Sequence, residues 1–387
     1  MRRRFAILLS TVVALAAYAV PASAQIRIGI VLSITGPSAS QGVPQRNTVA
    51  LLPNEIGGRS VEYIVLDDGT DSARAVTGMN KLIEEGVDAV IGSTITPSSL
   101  AMIAIAAEKQ VPLISLATSS RVILPMDAQR RWVFKTSQND SLMSDAIAKH
   151  MYKTGIRSVG FIGFRDSLGD GWLAEMTRAL ETWQIKLVAV ERFGRTEANV
   201  TEQVQKLIAA KPDAVLIAGS GTPPAVPHRT LREQGYAGKY YQTHGVANME
   251  FIRVGGAHVE GTILPVGPVL VVSQLPDNNP SKALAGDYVR KYEEANGAGT
   301  ASTLGAYMYD AAIMLQSAIP AALLTTQPGT PAFRAALRDA LETAYGLVLT
   351  NGTSEMTAED HNGFDHRAHV MVTISNGTWK MLPKNQQ

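Results

Sequence analysis

Short uninterrupted apolar runs recur along the chain, each followed by a stretch in which apolar positions return every three to four residues. The runs at 26–32, 61–66, 89–91 and 112–115 predict buried strands, because a strand covered on both faces carries no polar alternation. Between them, 73–85 places Val76, Met79, Leu82 and Ile83 on one helical face, and 100–109 repeats this with Ile103 and Ala106. Strands separated by helices of this length predict βαβ units and a parallel sheet. The pattern then restarts. Residues 158–164, 187–193, 214–218 and 240–242 read as strands, and 171–182, 200–210 and 224–234 as the helices between them. Two α/β halves in one chain predict two similar domains with a cleft between them. After Gly261 come a strand at 262–266 and helical stretches at 282–295, 304–323 and 331–343, which are expected to complete the helical layer of the first sheet. Near the end, 368–374 and 378–382 flank Asn376-Gly377, a type I′ hairpin signal.

The longest apolar run stands outside this pattern. Arg2, Arg3 and Arg4 precede residues 5–20, which carry no charge, and Pro21-Ala22-Ser23-Ala24 follows. A basic start, an apolar stretch and small residues at Ala22 and Ala24 predict a signal peptide over 1–24, cut before Gln25. A membrane anchor would need roughly 18 or more apolar residues, and this run ends in a proline and a small-residue site instead. Removing the leader leaves 32 basic residues against 34 acidic ones. That balance, without basic blocks, argues against nucleic acid or anionic lipid as a partner. With no cysteine in the chain, neither a lipid-modified cysteine nor a disulfide is possible, and a chain of this length can build its cores without staples. The expected product is a monomer, free in the periplasm.

Catalytic patterns are missing. The loop Thr35-Gly36-Pro37-Ser38-Ala39-Ser40-Gln41-Gly42 lacks the glycine spacing of a dinucleotide turn, no P-loop lysine motif occurs, and Gly219-Ser220-Gly221 misses the serine-nucleophile elbow. His361 and His366 lie near Asp360 and Asp365 at no metal-site spacing, and are expected in a solvated polar loop. No cofactor and no metal are implied. What recurs is hydroxyl and glycine chemistry at the carboxyl ends of strands, where open α/β sheets bind ligands. The first half contributes 35–42, 93–99 and 117–120, and the second half 166–171, 219–222 and Thr243-His244-Gly245. Residues 96–99 lead into a helix, so their hydroxyls and free N–H groups can receive a carboxylate without a cation. The same residues can equally serve as helix caps.

Taken in order, "IRIGIVLSITGPSASQG", "VDAVIGSTITPSS", "VPLISLATSS" and "THGVAN" resemble the leucine/isoleucine/valine-binding family of periplasmic proteins, along essentially the whole chain after the leader. The resemblance implies the type I periplasmic binding fold: α/β, two Rossmann-like lobes with parallel sheets, joined by a three-strand hinge. Residues 25–136 and 265–366 would form the N-terminal lobe, and 137–264 and 367–387 the C-terminal lobe. It also implies no enzymatic activity, but capture of a solute between closing lobes and docking on an inner-membrane ABC permease.

Carried over by position, the family's carboxylate-binding hydroxyl falls on Thr96, with Ala117, Thr118 and Ser119 in the next loop; the strand-end reading adds Ser220 and Gly221 from the second half. Gln41 replaces the aromatic residue of the first loop, and Leu168 replaces that of the second lobe. Just before "GVAN", amino-acid binders of the family place a glutamate for the ligand's ammonium group; this chain has His244. A buried ammonium without a carboxylate partner is costly. The implied ligand is therefore a small carboxylate without an α-amino group, and "NTVALLPNEIGG" resembles members that bind aromatic acids of the benzoate or cinnamate type. Asp166 or Asp170 could hold an ammonium instead, which would restore an amino-acid ligand. The same fold also presents ligands to sensor receptors.

Overall fold

The computed structural model describes residues 25–387, so the signal peptide expected over 1–24 lies outside the described residues. The first sheet contains β1 (Ile26–Leu32), β2 (Glu55–Ile56), β3 (Arg59–Asp67), β4 (Ala89–Gly92), β5 (Leu113–Ser115) and β6 (Val133–Lys135), in the order β2-β3-β1-β4-β5-β6. All neighbours run parallel except the β2–β3 hairpin. β1 lies inside the sheet, with Ile26 opposite Val61 and Ile28 opposite Ala89. Its isoleucines are fully buried, and each contributes about 1.5–3 kcal/mol relative to exposure.

Helices cover both faces. On one side lie α2 (Ser72–Glu84) and α3 (Thr96–Lys109), sharing a core with Val31, Val90, Leu113 and Val133. On the other lie α10 (Thr303–Leu323) and α11 (Pro331–Glu342), which pack Tyr307, Met314 and Phe333 against Ile28, Ile30 and Ile114. α1 (Ala39–Val49) runs along α10, and α9 (Lys282–Asn296) adds Tyr288 and Tyr292 beside them. The late helices thus do complete the first sheet's layer. The segment 35–42, expected as a loop, instead enters α1 at Ala39. Gly42 is required where it stands, since a Cβ there would lie 2.0 Å from the Ser33 carbonyl oxygen at the end of β1.

The second sheet contains β7 (Ser158–Phe164), β8 (Lys186–Phe193), β9 (Ala214–Ala218), β10 (Lys239–Gln242), β11 (Ile263–Val266), β14 (Val370–Ser375) and β15 (Thr378–Met381), in the order β15-β14-β11-β10-β9-β7-β8. The five strands from β8 to β11 are parallel, and the terminal hairpin adds two antiparallel strands. Asn376 and Gly377 turn that hairpin with φ of +53° and +68°, as a type I′ turn demands. The layer is formed by α4 (Asp140–Lys153), α5 (Ser167–Thr182), α6 (Thr201–Ala209), α7 (Ala225–Glu233) and α8 (Met249–Gly255), burying Met143, Trp172, Val204, Leu231 and Phe251. A separate hairpin, β12 (Leu347–Leu349) and β13 (Gly352–Ser354), had no signal in the sequence pattern.

The chain passes between the layers three times: from β6 to α4, from β11 to α9, and from β13 to β14. Val266 pairs with Val370, so β11 belongs wholly to the second sheet and the chain leaves after it. The first and third crossings are tied together by side chains. Gln138 Nε2 donates to the Ala368 carbonyl at 2.8 Å, and Tyr307 donates to Gln138 Oε1 at 2.9 Å. Asn362 Nδ2 donates to the carbonyls of Lys135 and Ser137 at 3.1 and 2.9 Å. This tie corrects one expectation. His361 is not in a solvated loop but fully buried, stacked 4.3 Å from the Phe134 ring, with Nδ1 2.8 Å from the Val133 carbonyl.

Candidate functional site

In each sheet the strand order reverses beside the first strand of the half, between β1 and β4 and between β7 and β9. Loops diverge from the carboxyl ends there, leaving a crevice that side chains from both sheets can reach. The lobes meet directly across it. Gln41, on the first turn of α1, donates from Nε2 to Ser220 Oγ at 3.1 Å in a buried contact. Gly221 has φ of +69°, donates its N–H to the Gly245 carbonyl at 2.9 Å, and leaves only 2.9 Å between a hypothetical Cβ and Ser40 Oγ. A side chain at 221 would hold the lobes apart.

Thr96 opens α3 and is 1 % exposed. Ile95 occupies the N-cap position without a side-chain cap, and neither Thr96 Oγ1 nor Ser98 Oγ has a hydrogen-bond partner among the described residues. Plain capping therefore does not account for these hydroxyls. Ser99 and Ser115, by contrast, are committed: Ser99 Oγ donates to the Ser93 carbonyl at 3.1 Å and accepts from Ser115 Oγ at 2.9 Å. The loop after β5 is held from β6. The Ala117 carbonyl accepts from Ser137 Oγ, and Lys135 Nζ donates to the Thr118 carbonyl at 2.7 Å and to the Gln138 carbonyl at 3.0 Å. Burial pushes the Lys135 ammonium down to about 7 against the pull of Asp140 and Asp360. Ser119 faces the other lobe, where a Cβ on Gly171 would lie 3.0 Å from its Oγ.

His244, just beyond β10, is fully buried. Neither ring nitrogen makes a hydrogen bond of good geometry among the described residues, although the Gln138 backbone is close enough to act on the ring, which lies 5.8 Å from that of Trp172. Burial, and secondarily the Lys135 charge, lower its pKa to about 3. The imidazole is thus neutral at physiological pH, offering one donor and one acceptor. Leu168 is 2 % exposed and belongs, with Trp172, to the hydrophobic core of the second lobe. Trp172, one turn further along α5, is the aromatic side chain that reaches His244, and its Nε1 is buried without a partner.

The two carboxylates considered for an ammonium are already engaged. Asp166 caps α5 through Leu168 N–H at 2.9 Å and pairs with Arg195 Nε at 2.7 Å. Asp170 pairs with Arg192 and is largely exposed. Arg195 itself escaped the sequence reading, although an arginine just beyond the carboxyl end of β8 is where a ligand contact of this fold can arise. Its guanidinium lies 4.2 Å from the Phe164 ring centroid, 3.3 Å from Ser38 Oγ and 3.5 Å from Ser220 Oγ, so it spans the two lobes. It lines an interlobe groove of about 800 Å³, together with Ser40, Thr222, Asn248, Met249 and Tyr292.

Residues 25–378 match the family model described as periplasmic binding protein. The chain is 43 % identical to an extracellular ligand-binding receptor from Rhodopseudomonas palustris HaA2, with a TM-score of 0.90 over 93 % of this chain and 100 % of that one. It is 27 % identical to Leu/Ile/Val-binding protein homolog 2 of Brucella abortus, over 73 % of this chain and 76 % of that protein. A solute-binding protein of an ABC transporter from R. palustris, solved in complex with benzoate, shares the fold with a TM-score of 0.78 at 19 % identity, over 93 % and 96 % of the two chains. Two lobes around a hydroxyl-lined crevice, matched along their whole length by non-catalytic solute binders, leave one conclusion: the chain belongs to the periplasmic binding protein family and is a type I periplasmic solute-binding protein of the leucine/isoleucine/valine-binding type.

Proposed function

We propose that this protein captures a small carboxylate, an aromatic acid of the benzoate or cinnamate type, and delivers it as a monomer to an inner-membrane ABC permease. The observation that carries this reading is His244: a buried neutral ring whose nitrogens make no well-formed hydrogen bond to a side chain, packed against Trp172, at the place where the amino-acid binders of the family hold an ammonium group. An imidazole beside an indole suits an aromatic solute with a polar substituent. It gives a leucine ammonium no ionic partner, and the engagement of Asp166 and Asp170 removes two substitutes. Gln41, Thr96, Ala117, Thr118, Ser119, Ser220 and Gly221 form the rest of the proposed site, with Leu168 acting through the core behind it. The benzoate-bound neighbour is a precedent for the fold alone.

One observation favours a second reading. Asp140 is buried, with Oδ1 accepting from Ser120 N–H at 2.8 Å and Oδ2 without a partner among the described residues. An amine-bearing solute could reach that oxygen, although the Lys135 ammonium already opposes its charge. A thermal-shift screen followed by calorimetry separates the two. A ligand present at 100 times its Kd stabilises the fold by about 2.7 kcal/mol. Benzoate and cinnamate are expected to shift the melting temperature, and leucine is not. Micromolar binding of leucine with none of the aromatic acids would replace the first reading by the second.

A further inference from the structure

Three buried polar atoms on the wall of the interlobe groove share one chemical property. Arg195 NH2, Asn248 Nδ2 and Ser40 Oγ are each buried without a hydrogen-bond partner among the described residues, and all three residues line the groove. Arginine and an amide nitrogen can only donate, and a hydroxyl donates readily. They come from both lobes, with Ser40 on α1 facing Arg195 and Asn248 from the second sheet's loops. Asn248 is 3 % exposed, and its Oδ1 is already used to cap α8 through Phe251 N–H at 2.9 Å, which fixes the direction of Nδ2. Asp166 holds Arg195 through Nε alone, so the guanidinium keeps an edge for another acceptor. Outside the lining of that groove, the unpartnered groups around His244 are of mixed character: the Thr96 hydroxyl, the Trp172 N–H and a neutral imidazole that offers one donor and one acceptor.

We infer that the ligand's carboxylate is seated on Arg195, Asn248 and Ser40, and that the Thr96, Trp172 and His244 end receives a neutral polar substituent such as a ring hydroxyl. This orientation rests on the proposed carboxylate-binding function and reverses the one implied by family resemblance, in which Thr96 holds the carboxylate. The physical reason is charge. An all-donor set containing a guanidinium stabilises an anion, whereas the Thr96 end carries no free positive group, because Lys135 spends its ammonium on two backbone carbonyls. Seating the carboxylate between Ser40 and Arg195 also makes the ligand part of the contact between the lobes.

Calorimetry with matched pairs tests this: 4-hydroxybenzoate against 4-hydroxybenzamide, and 4-hydroxybenzoate against benzoate. Arg195→Gln is expected to weaken the acid roughly tenfold or more, the range of a charge-assisted hydrogen bond, while changing the amide little. Arg195→Lys should retain part of the preference for acid over amide. Thr96→Val is expected to weaken 4-hydroxybenzoate and to spare benzoate. Melting temperatures of the ligand-free variants control for folding. The orientation is overturned if Thr96→Val, and not Arg195→Gln, erases the preference for acid over amide, or if Arg195→Gln binds acid and amide as the wild type does. The same screen includes butyrate and succinate. An aliphatic acid that binds in an Arg195-dependent way, with no aromatic acid binding, would refute the aromatic reading and keep the carboxylate seat. If no carboxylate of either kind binds, both are wrong.

Discussion

His228 makes the folded protein acid-labile by an amount that can be isolated. The side chain lies on α7, fully buried, with its ring stacked 4.5 Å from Tyr240 and Nδ1 3.4 Å from Gln242 Nε2. Its Nε2 has no partner among the described residues. Burial, then the charges of Arg232 and His258, lower the pKa to about 3. The unfolded chain takes up a proton near 6.5, so below that pH the unfolded state binds a proton that the folded state refuses. Stability therefore rises with pH between about 3 and 6.5, and is lost as pH falls through that window. Taking those two values, the loss from His228 alone between pH 7 and pH 5 is about 2 kcal/mol, a large part of a typical domain's stability.

The perturbation is His228→Phe, which keeps a flat ring on Tyr240 and removes the titration. Phenylalanine is larger and loses the long contact to Gln242, but both effects are independent of pH and cancel when the two proteins are compared across pH. Urea unfolding of ligand-free protein, followed by circular dichroism at pH 7, 6 and 5, is expected to show the wild type losing about 2 kcal/mol more than the variant over that span. His150, His244 and His369 are depressed in the same direction and add to the acid lability of both proteins alike. Parallel stability curves for wild type and variant would show that His228 titrates normally, and the cost assigned to its burial would be wrong.

Three further outcomes are expected. Because His244 is neutral well above its pKa of about 3 while Lys135 loses its charge near 7, His244→Gln should leave the shape of the affinity profile for an aromatic acid between pH 6 and 8 unchanged; a pH dependence in wild type that this substitution abolishes in calorimetry would mean an imidazolium contact after all. Removing the interlobe hydrogen bond with Gln41→Ala should cost the closed form about 1 kcal/mol, or roughly fivefold in affinity, and small-angle scattering of the ligand-free variant should show a larger radius of gyration than wild type; equal radii and affinities would make that bond irrelevant to closure. Mass spectrometry of protein from the periplasm should find Gln25 at the N-terminus, and an intact Met1 chain in the membrane fraction would contradict the signal peptide.

The strands were legible because parallel sheets buried on both faces concentrate Ile, Val and Leu in short runs. β1, β7 and β9 begin and end where those runs do. The helices were legible where one face is apolar, as in α2, and hidden where the helix is tied down by something other than an apolar stripe. α1 is held by Gly42 against the end of β1 and by Thr48 Oγ1 bonded to the Tyr288 hydroxyl at 3.1 Å. No local period records either contact. His361 is the same case in reverse: its neighbours in sequence are polar, but its ring partner and backbone acceptor come from β6, more than two hundred residues earlier.

The candidate site divides along a similar line. Strand-end logic locates loops, because the switch points of both sheets follow from strand order, and it put Gln41, Ser220, Gly221 and His244 at one crevice. It does not say which side chain of the following helix turns inward. Leu168 stands at the position that resemblance selects; α5 advances about 100° per residue, so Trp172, four residues on, shares its face and brings an aromatic ring to His244. Charge is harder still to read from a loop. Asp166 looks like an acceptor for an ammonium until Arg195, 29 residues later, is found on its Oδ2. Arg195 in turn looks satisfied until its NH2 is seen to have no acceptor. A ligand's sign is decided by what remains unpaired after the protein has paired its own groups. Among the described residues the remainder is a guanidinium edge, an amide N–H and a hydroxyl along the groove, and a neutral imidazole, an indole and a hydroxyl around His244, and the proposed seating of an anion and an uncharged polar substituent rests on that division.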